Sequence, residues 1–314
     1  MTTVAEESEV DFEGTARIAT EAFGSKDVTF SPSRMRWLYE RAFGRGSTVI
    51  AAYDEEGKKV GQIVMLHQNI YLDGRPVVAT QLIDLFVLKA HRSPTLIRRI
   101  YKEVERRCEA RNIRIIITTP NETSAPLNAR FLKLRPLLSL QVRVGISFGL
   151  SFPNHVKFSG RLENISRDAA IGHLSGFITL PDENGIHWDA ATLFDRMSDP
   201  ASDYAIHATD NLLLLSSSRT ARGIPHALLC GFFARPDTVI TPYDIRALIR
   251  SACLTWKHRV FVYAGLNNSL PYQPGFAAPK RLRSPISVQL RDITSADDGA
   301  PRFDRFQLID SDFI

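Results

Sequence analysis

Residues 82–126 read LIDLFVLKAHRSPTLIRRIYKEVERRCEARNIRIIITTPNETSAP, and the order of their patterns decides the fold. The stretch from about Val77 to Leu88 is an apolar strand. Ser93-Pro94 then supplies a cap and a first-position proline for a helix. Ile97, Ile100, Val104 and Cys108 follow at spacings of three and four, which places them on one helix face. Asn112 is suited to a left-handed cap, and Ile113 to Thr119 forms a buried strand. A strand, a crossover helix and a strand in one sheet make the two strands parallel.

Upstream, Phe12 to Phe23 and Pro32 to Phe43 carry helical apolar spacing. They precede strands at Thr48 to Tyr53 and Val60 to Tyr71. Asp73-Gly74 is a strong hairpin signal, because both turn positions need positive φ. An antiparallel meander therefore feeds the parallel pair. Downstream the order recurs: a helix at Asp189 to Met197, strands at Tyr204 to Ala208, Asn211 to Ser217 and His226 to Ala234, a helix opened by Thr241-Pro242, and a strand at Arg259 to Ala264. Pro94 and Pro242 lie 148 residues apart, and Asn121 and Asn267 lie 146 apart. Near-equal offsets over matching elements point to an internal duplication. Its linker is expected near Leu150 to Gly160, giving domains of 1–150 and 160–314.

The chain of 314 residues is 44% hydrophobic and 23% charged, a composition that supports a sizeable core. No apolar run reaches the twenty or so residues of a membrane span, and the acidic N-terminus does not read as a signal peptide. Cys108, Cys230 and Cys253 are too few and too scattered for a disulfide framework, which suits a reducing, cytoplasmic setting. No Cys or His pair has metal-ligand spacing. The net charge is +5. Basic clusters at Arg98-Arg99, Arg106-Arg107 and Lys280-Arg281 with Arg283 read as solvated surface; a phosphate-bearing ligand or RNA is the functional alternative.

The quoted stretch, within Ala79 to Pro136, resembles the central motif of GNAT (N-acetyltransferase) superfamily proteins. Val87 and Arg92 stand where the family ends its strand and enters its phosphate loop. Thr119-Pro120-Asn121-Glu122 and Lys133-Leu134 resemble segments that flank the acceptor-side helix. The resemblance implies an α/β fold of two tandem GNAT-like domains, each a mostly antiparallel sheet with a split parallel pair and flanking helices. It also implies acetyl-CoA or another acyl-CoA as donor, with no metal. The donor would sit along Phe86, Val87, Leu88, Arg92, Ser93, Thr95, Leu96 and Asn121, its pyrophosphate at the helix N-terminus. The family's loop glycines are replaced here by Ser93, Thr95 and Ile97, and Pro94 removes one N–H donor. The position of the family's acid tyrosine is Phe131.

Asp84 lies within an apolar strand, where a carboxylate is costly unless paired or functional. It is the candidate catalytic base, burial raising its pKa; the alternative is a structural carboxylate. Strict alternation puts it on the side of Leu82 and Phe86, opposite Ile83, Leu85 and Val87. His67, Gln68, Asn69 and Tyr71 could face an acceptor cleft or form a wet strand face. Tyr263 and Asn267 could be ligand groups or core. Asp310-Ser311-Asp312 weakly resembles the ending of tandem GNAT-like proteins. The leading function is an acyl-CoA-dependent N-acyltransferase acting on a small-molecule, sugar or amino-acid amine between the domains. The changed loop also fits aminoacyl-tRNA or acyl-carrier protein as donor, the one case in which nucleic acid would be a partner. A non-catalytic binding module is the third reading.

Overall fold

In the computed structural model, residues 2–24, 30–148, 155–178, 183–279, 285–294 and 301–312 are described. Residues 150–154 of the expected linker and the basic cluster at 280–283 lie outside them. The chain divides into two compact units: residues 1–70, 75–138 and 287–302 form one, and residues 71–74, 139–286 and 303–314 the other. This division does not coincide with 1–150 and 160–314. Strand pairing, not chain order, sets the membership of 287–302.

Unit 1 opens with β1 (Thr3–Glu6), α1 (Phe12–Phe23) and α2 (Pro32–Glu40). Ser31 and Ser93 each accept a hydrogen bond from the backbone N–H three residues on, so both prolines sit where a missing donor costs nothing. The meander is β2 (Ser47–Tyr53), β3 (Lys59–Leu72) and β4 (Arg75–Val87). Then come α3 (Pro94–Ala110), β5 (Ile115–Thr118), α4 (Ser124–Leu132) and β6 (Arg135–Leu140). Asp73 (φ 52°) and Gly74 (φ 72°) are both left-handed, as the hairpin requires, and so is Asn112 after α3 (φ 52°).

β4 and β5 are parallel, from Ala79 opposite Ile115 to Leu82 opposite Thr118. The far side of β5 is taken by β16 (Ile286–Asp292), antiparallel, with β6 beyond it. Arg114, just before β5, holds Asp292 through two donors at 2.7–3.2 Å, and Arg291 pairs with Glu105 of α3 at 2.8 Å. Ile63, Met65, Leu82, Ile116 and the buried stripe Leu96, Ile100, Val104 and Cys108 of α3 make the core.

Unit 2 contains β7 (Arg143–Ile146), β8 (Phe158–Arg161), α5 (Arg167–Ser175), β9 (Gly185–Ile186), α6 (Ala190–Met197), β10 (Tyr204–Ala208), β11 (Leu212–Ala221), β12 (Ile224–Ala234), α7 (Pro242–Thr255), β13 (Val260–Tyr263), β14 (Gly265–Asn267), β15 (Phe276–Ala277) and β17 (Arg305–Gln307). Its seven-stranded sheet runs β15-β7-β13-β12-β11-β10-β8. β12 and β13 are parallel, joined through α7, as β4 and β5 are joined through α3. Ile245, Leu248, Ile249, Ala252 and Cys253 of α7, with Trp256 at its C-cap, pack on this sheet as their spacing foretells. Arg222 (φ 50°) and Gly223 (φ 75°) turn the β11–β12 hairpin 149 residues after Asp73 and Gly74. The fold is therefore mixed α/β with two sheets, each carrying one helix-bridged parallel pair.

Candidate functional site

Beyond the Leu82–Thr118 rung, β5 ends while β4 continues to Val87, so the parallel pair opens. Thr118 Oγ1 donates to the Leu82 carbonyl at 3.0 Å and closes the last rung. Asp84 has φ +47°, a left-handed residue inside a strand. The side-chain phase shifts there, which corrects the expected alternation. Leu82 and Val87 share the core beneath α3, and Leu85 packs on it, though strict alternation separates Leu82 from the other two. On the other side of β4, a Cβ at Gly61 would stand 2.6 Å from the Phe86 carbonyl oxygen, so only glycine lets β3 approach the shifted strand.

Asp84 is anchored from α2. Tyr39, a buried residue, donates to Asp84 Oδ2 at 2.6 Å and accepts from the buried Gln62 Nε2 at 2.8 Å. Burial, and secondarily the Asp84 charge, hold the Tyr39 pKa well above that of an ordinary phenol. The Tyr39 hydroxyl thus stays protonated as a donor to the carboxylate.

The opened strands form one wall of a cleft of about 560 Å³, completed by the ends of α1 and α3 and by α4. Of the residues singled out from sequence, Phe86, Val87, Arg92, Ser93 and Asn121 line it. Leu88 packs against the core instead, and Leu96 is buried within it. Thr95 lines a neighbouring groove. Asp84 is not among the lining residues. Phe23, Leu85, Leu127, Arg130 and Phe131 line the cleft without having been singled out as donor contacts. The i, i+3, i+7 spacing of Ser124, Leu127 and Phe131 was the available signal. None of the lining residues among those described is Asp, Glu, His, Cys or Tyr. Phe131 stacks on Tyr101 at 5.6 Å, and the buried Tyr101 hydroxyl donates to Asn128.

The polar groups at the mouth have local tasks. Arg92 donates from Nε to the Val87 carbonyl at 2.8 Å and from Nη2 to the Ala22 carbonyl at 2.7 Å, tying α1 to the end of β4. Ser93 Oγ accepts from Leu96 N at 3.2 Å. With Pro94 lacking a donor and Leu96 engaged, Thr95 supplies the N–H of the first turn that remains for an anion. Asn121 Oδ1 accepts from Thr123 N and Ser124 N at 3.0 and 2.8 Å and opens α4.

Unit 2 closes the equivalent position. Asp244 Oδ2 accepts from Thr241 N (2.9 Å) and Thr241 Oγ1 (2.7 Å), and Asp244 N returns a bond to Thr241 Oγ1. His155 Nε2 lies 3.0 Å from Asp244 Oδ1. Burial alone would raise the Asp244 pKa, but the Thr241 hydrogen bonds hold it below the ordinary carboxylate value. A resident carboxylate therefore occupies the N-terminus of α7, which repels any second anion. Tyr263 is core, and Asn267 Nδ2 donates to the Phe232 carbonyl at 3.0 Å. Asp310 is buried and bonded to Trp188 Nε1 and Gln307 N. His67 bonds Thr48 at 2.8 Å; burial first, then Arg111 and Arg45, bring its pKa down to about 4. Among the described residues no cluster of His, Cys, Asp and Glu could hold a metal ion, and no helix is long and apolar enough to cross a membrane.

In unit 1 an antiparallel meander thus leads into a parallel pair that opens around an apolar cleft. Residues 4–131 match the model of the acetyltransferase (GNAT) domain family. No curated protein matches the chain significantly. Among solved structures, similarity extends over 93% of this chain and 73% of a conserved Enterococcus faecalis protein described as a probable N-acyltransferase, at TM-score 0.67 and 11% identity. A GCN5-related N-acetyltransferase from Kribbella flavida matches at TM-score 0.59 and 12% identity, over 93% of this chain and 71% of its own. N-myristoyltransferase from Saccharomyces cerevisiae, solved with myristoyl-CoA, matches at TM-score 0.61 and 12% identity over 100% of this chain and 85% of its own. At these identities the likeness is one of fold.

Proposed function

We propose that unit 1 binds an acyl-CoA with its thioester beside the open end of β4 and transfers the acyl group to the amine of a small molecule. The opening between β4 and β5 beyond Leu82 and Thr118 carries this reading. An extended pantetheine arm can lie there as a substitute strand against main-chain groups that β5 no longer occupies, with Phe23, Phe86, Leu127 and Phe131 enclosing the acyl chain.

In the reaction the amine nitrogen attacks the thioester carbonyl carbon and forms the C–N bond. A strand N–H near Val87 stabilises the oxyanion. The C–S bond then breaks, and the thiolate takes a proton while the nitrogen loses one to water. No covalent enzyme intermediate is needed, consistent with a lining that offers no cysteine. The cleft supplies orientation and exclusion of water. Asp84 is a positioning residue: held by Tyr39, it keeps the strand shift that opens the cleft.

Calorimetry with acetyl-CoA and longer acyl-CoAs tests this directly, and micromolar binding coupled to amide formation is the expected result. The engaged N–H groups at the start of α3 favour one competing reading, in which aminoacyl-tRNA or acyl-carrier protein is the donor. Binding of either of these with no affinity for any acyl-CoA would replace the proposal. The matching hairpins, prolines and parallel pairs further support an internal duplication, in which unit 2 is a copy without a donor site.

A further inference from the structure

The seven-stranded sheet of unit 2 ends in β13, β7 and β15, and the two faces of this end differ. On one face Phe261 of β13 packs with α7, and a Cβ on Gly145 of β7 would collide with its ring. The opposite face is apolar and open to solvent. Val144 stands opposite Phe276, Ile146 follows two residues on, and Phe148 follows just past the strand end. Phe276 is 83% exposed, Phe148 73% and Ile146 55%. Val260 and Val262, paired with Ile146 and Val144, are half-buried and continue the face. Phe276 is also held in place. Ala278 N donates to the Val142 carbonyl at 2.8 Å, Arg143 donates to the carbonyls of Pro274 and Gly275 at 3.1 and 2.7 Å, and Gly275 turns the chain at φ +76°. The wet face of an antiparallel sheet is ordinarily polar, and a contiguous apolar patch fixed on a sheet marks an interaction surface.

Charge points to what covers it. The stretches 139–162 and 245–286, which supply these three strands, hold ten Lys and Arg and no Asp or Glu, while the rest of the chain holds 29 Lys and Arg against all 34 acids. Lys257 and Arg259 are exposed and form no ion pair among the described residues. Ser147 N donates to the Arg259 carbonyl at 2.8 Å, which sets Arg259 beside the Ile146–Phe148 end of the face. We infer that this sheet edge docks on an anionic lipid surface, with Phe276, Phe148 and Ile146 entering the acyl boundary and Lys257 and Arg259 meeting the headgroups. Such docking needs no membrane-spanning helix, and it is independent of the cleft reading. A second copy fits less well. A two-fold contact would set the carboxylate-free stretches against themselves, and β15, two residues long between Pro274 and Pro279, is a poor template for strand addition. Nucleic acid fits less well too, because the exposed apolar side chains offer its phosphates no donor.

The test is co-sedimentation of the full chain with phosphatidylcholine vesicles, with and without phosphatidylserine. Wild type should bind the mixed vesicles about 25-fold more tightly, on the order of fivefold for each of the two cations, and lose that margin at high salt. Lys257→Gln/Arg259→Gln should remove the preference. Ile146→Ser/Phe148→Ser/Phe276→Ser should weaken binding to mixed vesicles by about tenfold or more, the scale of one buried Phe side chain, with its melting temperature kept. Phe276→Trp keeps the apolar surface and reports depth. Trp37, Trp188 and Trp256 are buried, so quenching by brominated lipid in mixed vesicles is expected from position 276. Equal binding to both vesicle types, absence of quenching, or a triple variant that binds as wild type does overturns the inference. Wild type that binds duplex DNA or tRNA but not vesicles overturns it as well, and so does a dimer that the triple variant dissociates and that never sediments with lipid.

Discussion

Replacing Tyr39 with phenylalanine removes one hydroxyl and, with it, the link between α2, β3 and the left-handed residue of β4. Two bonds disappear, the 2.6 Å donation to Asp84 and the 2.8 Å acceptance from Gln62. A hydrogen bond to a charged group contributes about 1.5–3 kcal/mol, and leaving a buried amide donor unpaired costs about 1–3 kcal/mol. Asp84 is half-buried, so water recovers part of the first term, and the expected loss is about 3 kcal/mol. For a unit of this size that lowers Tm by roughly 6–12 °C. Asp84→Asn is the informative partner, since asparagine still accepts from Tyr39 and tolerates positive φ. It should cost only about 1 kcal/mol, the scale of a neutral hydrogen bond. Differential scanning calorimetry and steady-state acyl transfer are measured on both variants. If Asp84 positions the strand, Asp84→Asn keeps activity within a few-fold, while Tyr39→Phe loses stability and weakens donor binding. A Tyr39→Phe protein melting within a degree of wild type would refute the anchoring argument. A loss of about a hundredfold or more in Asp84→Asn, with Tm and donor affinity unchanged, would make Asp84 the base.

Thr95→Glu places a carboxylate in the first turn of α3, where it should add about 0.3–1 kcal/mol of stability through the helix dipole yet abolish donor binding by repulsion; a melt and a titration on one sample read both, and unchanged affinity removes this terminus from the site. His207 is buried, bonded to Ser159 and Ser216 at 2.8 Å, and burial brings its pKa down to about 3. The unfolded chain therefore binds more protons from about pH 6.5 downward, so stability is complete above that pH and falls by up to about 1.4 kcal/mol per pH unit towards pH 3; urea midpoints at pH 7, 6 and 5 should decline, with a shallower slope in His207→Gln. Cys108, Cys230 and Cys253 are buried, and burial pushes their thiols up to about 12, 12 and 11; a thiol reagent should find them only on denaturation, and a fast-labelling thiol in the native protein would contradict the packing.

Sequence by itself determined whatever depends on neighbours along the chain. Ser31-Pro32, Ser93-Pro94 and Thr241-Pro242 start helices because a cap and a missing donor act within one turn. Asp73-Gly74 turns a hairpin because two consecutive residues accept positive φ. The stripes of α3 and α7 made their inner faces legible, and a parallel pair followed from strand, helix and strand. The cleft was half legible: Phe86, Val87, Arg92, Ser93 and Asn121 cluster near the end of one strand and around the helix that follows it. Tertiary structure alone decided the rest. Nothing local announces that Asp84 takes a left-handed conformation, because Tyr39, which bonds it, and Gln62, which bonds the Tyr39 hydroxyl, are 45 and 22 residues away in the chain. That single conformation goes with Leu85 and Val87 packing towards the core, while Asp84 is held by Tyr39 and is absent from the cleft lining. The return of 287–302 to unit 1 is equally non-local, since β16 joins β5 through hydrogen bonds and the Arg114–Asp292 pair across 178 residues. Surface chemistry shows the same division. Stretches without a carboxylate are visible in the sequence, but which cations and apolar side chains stand exposed together is a property of the folded surface, where strand pairing brings distant residues side by side.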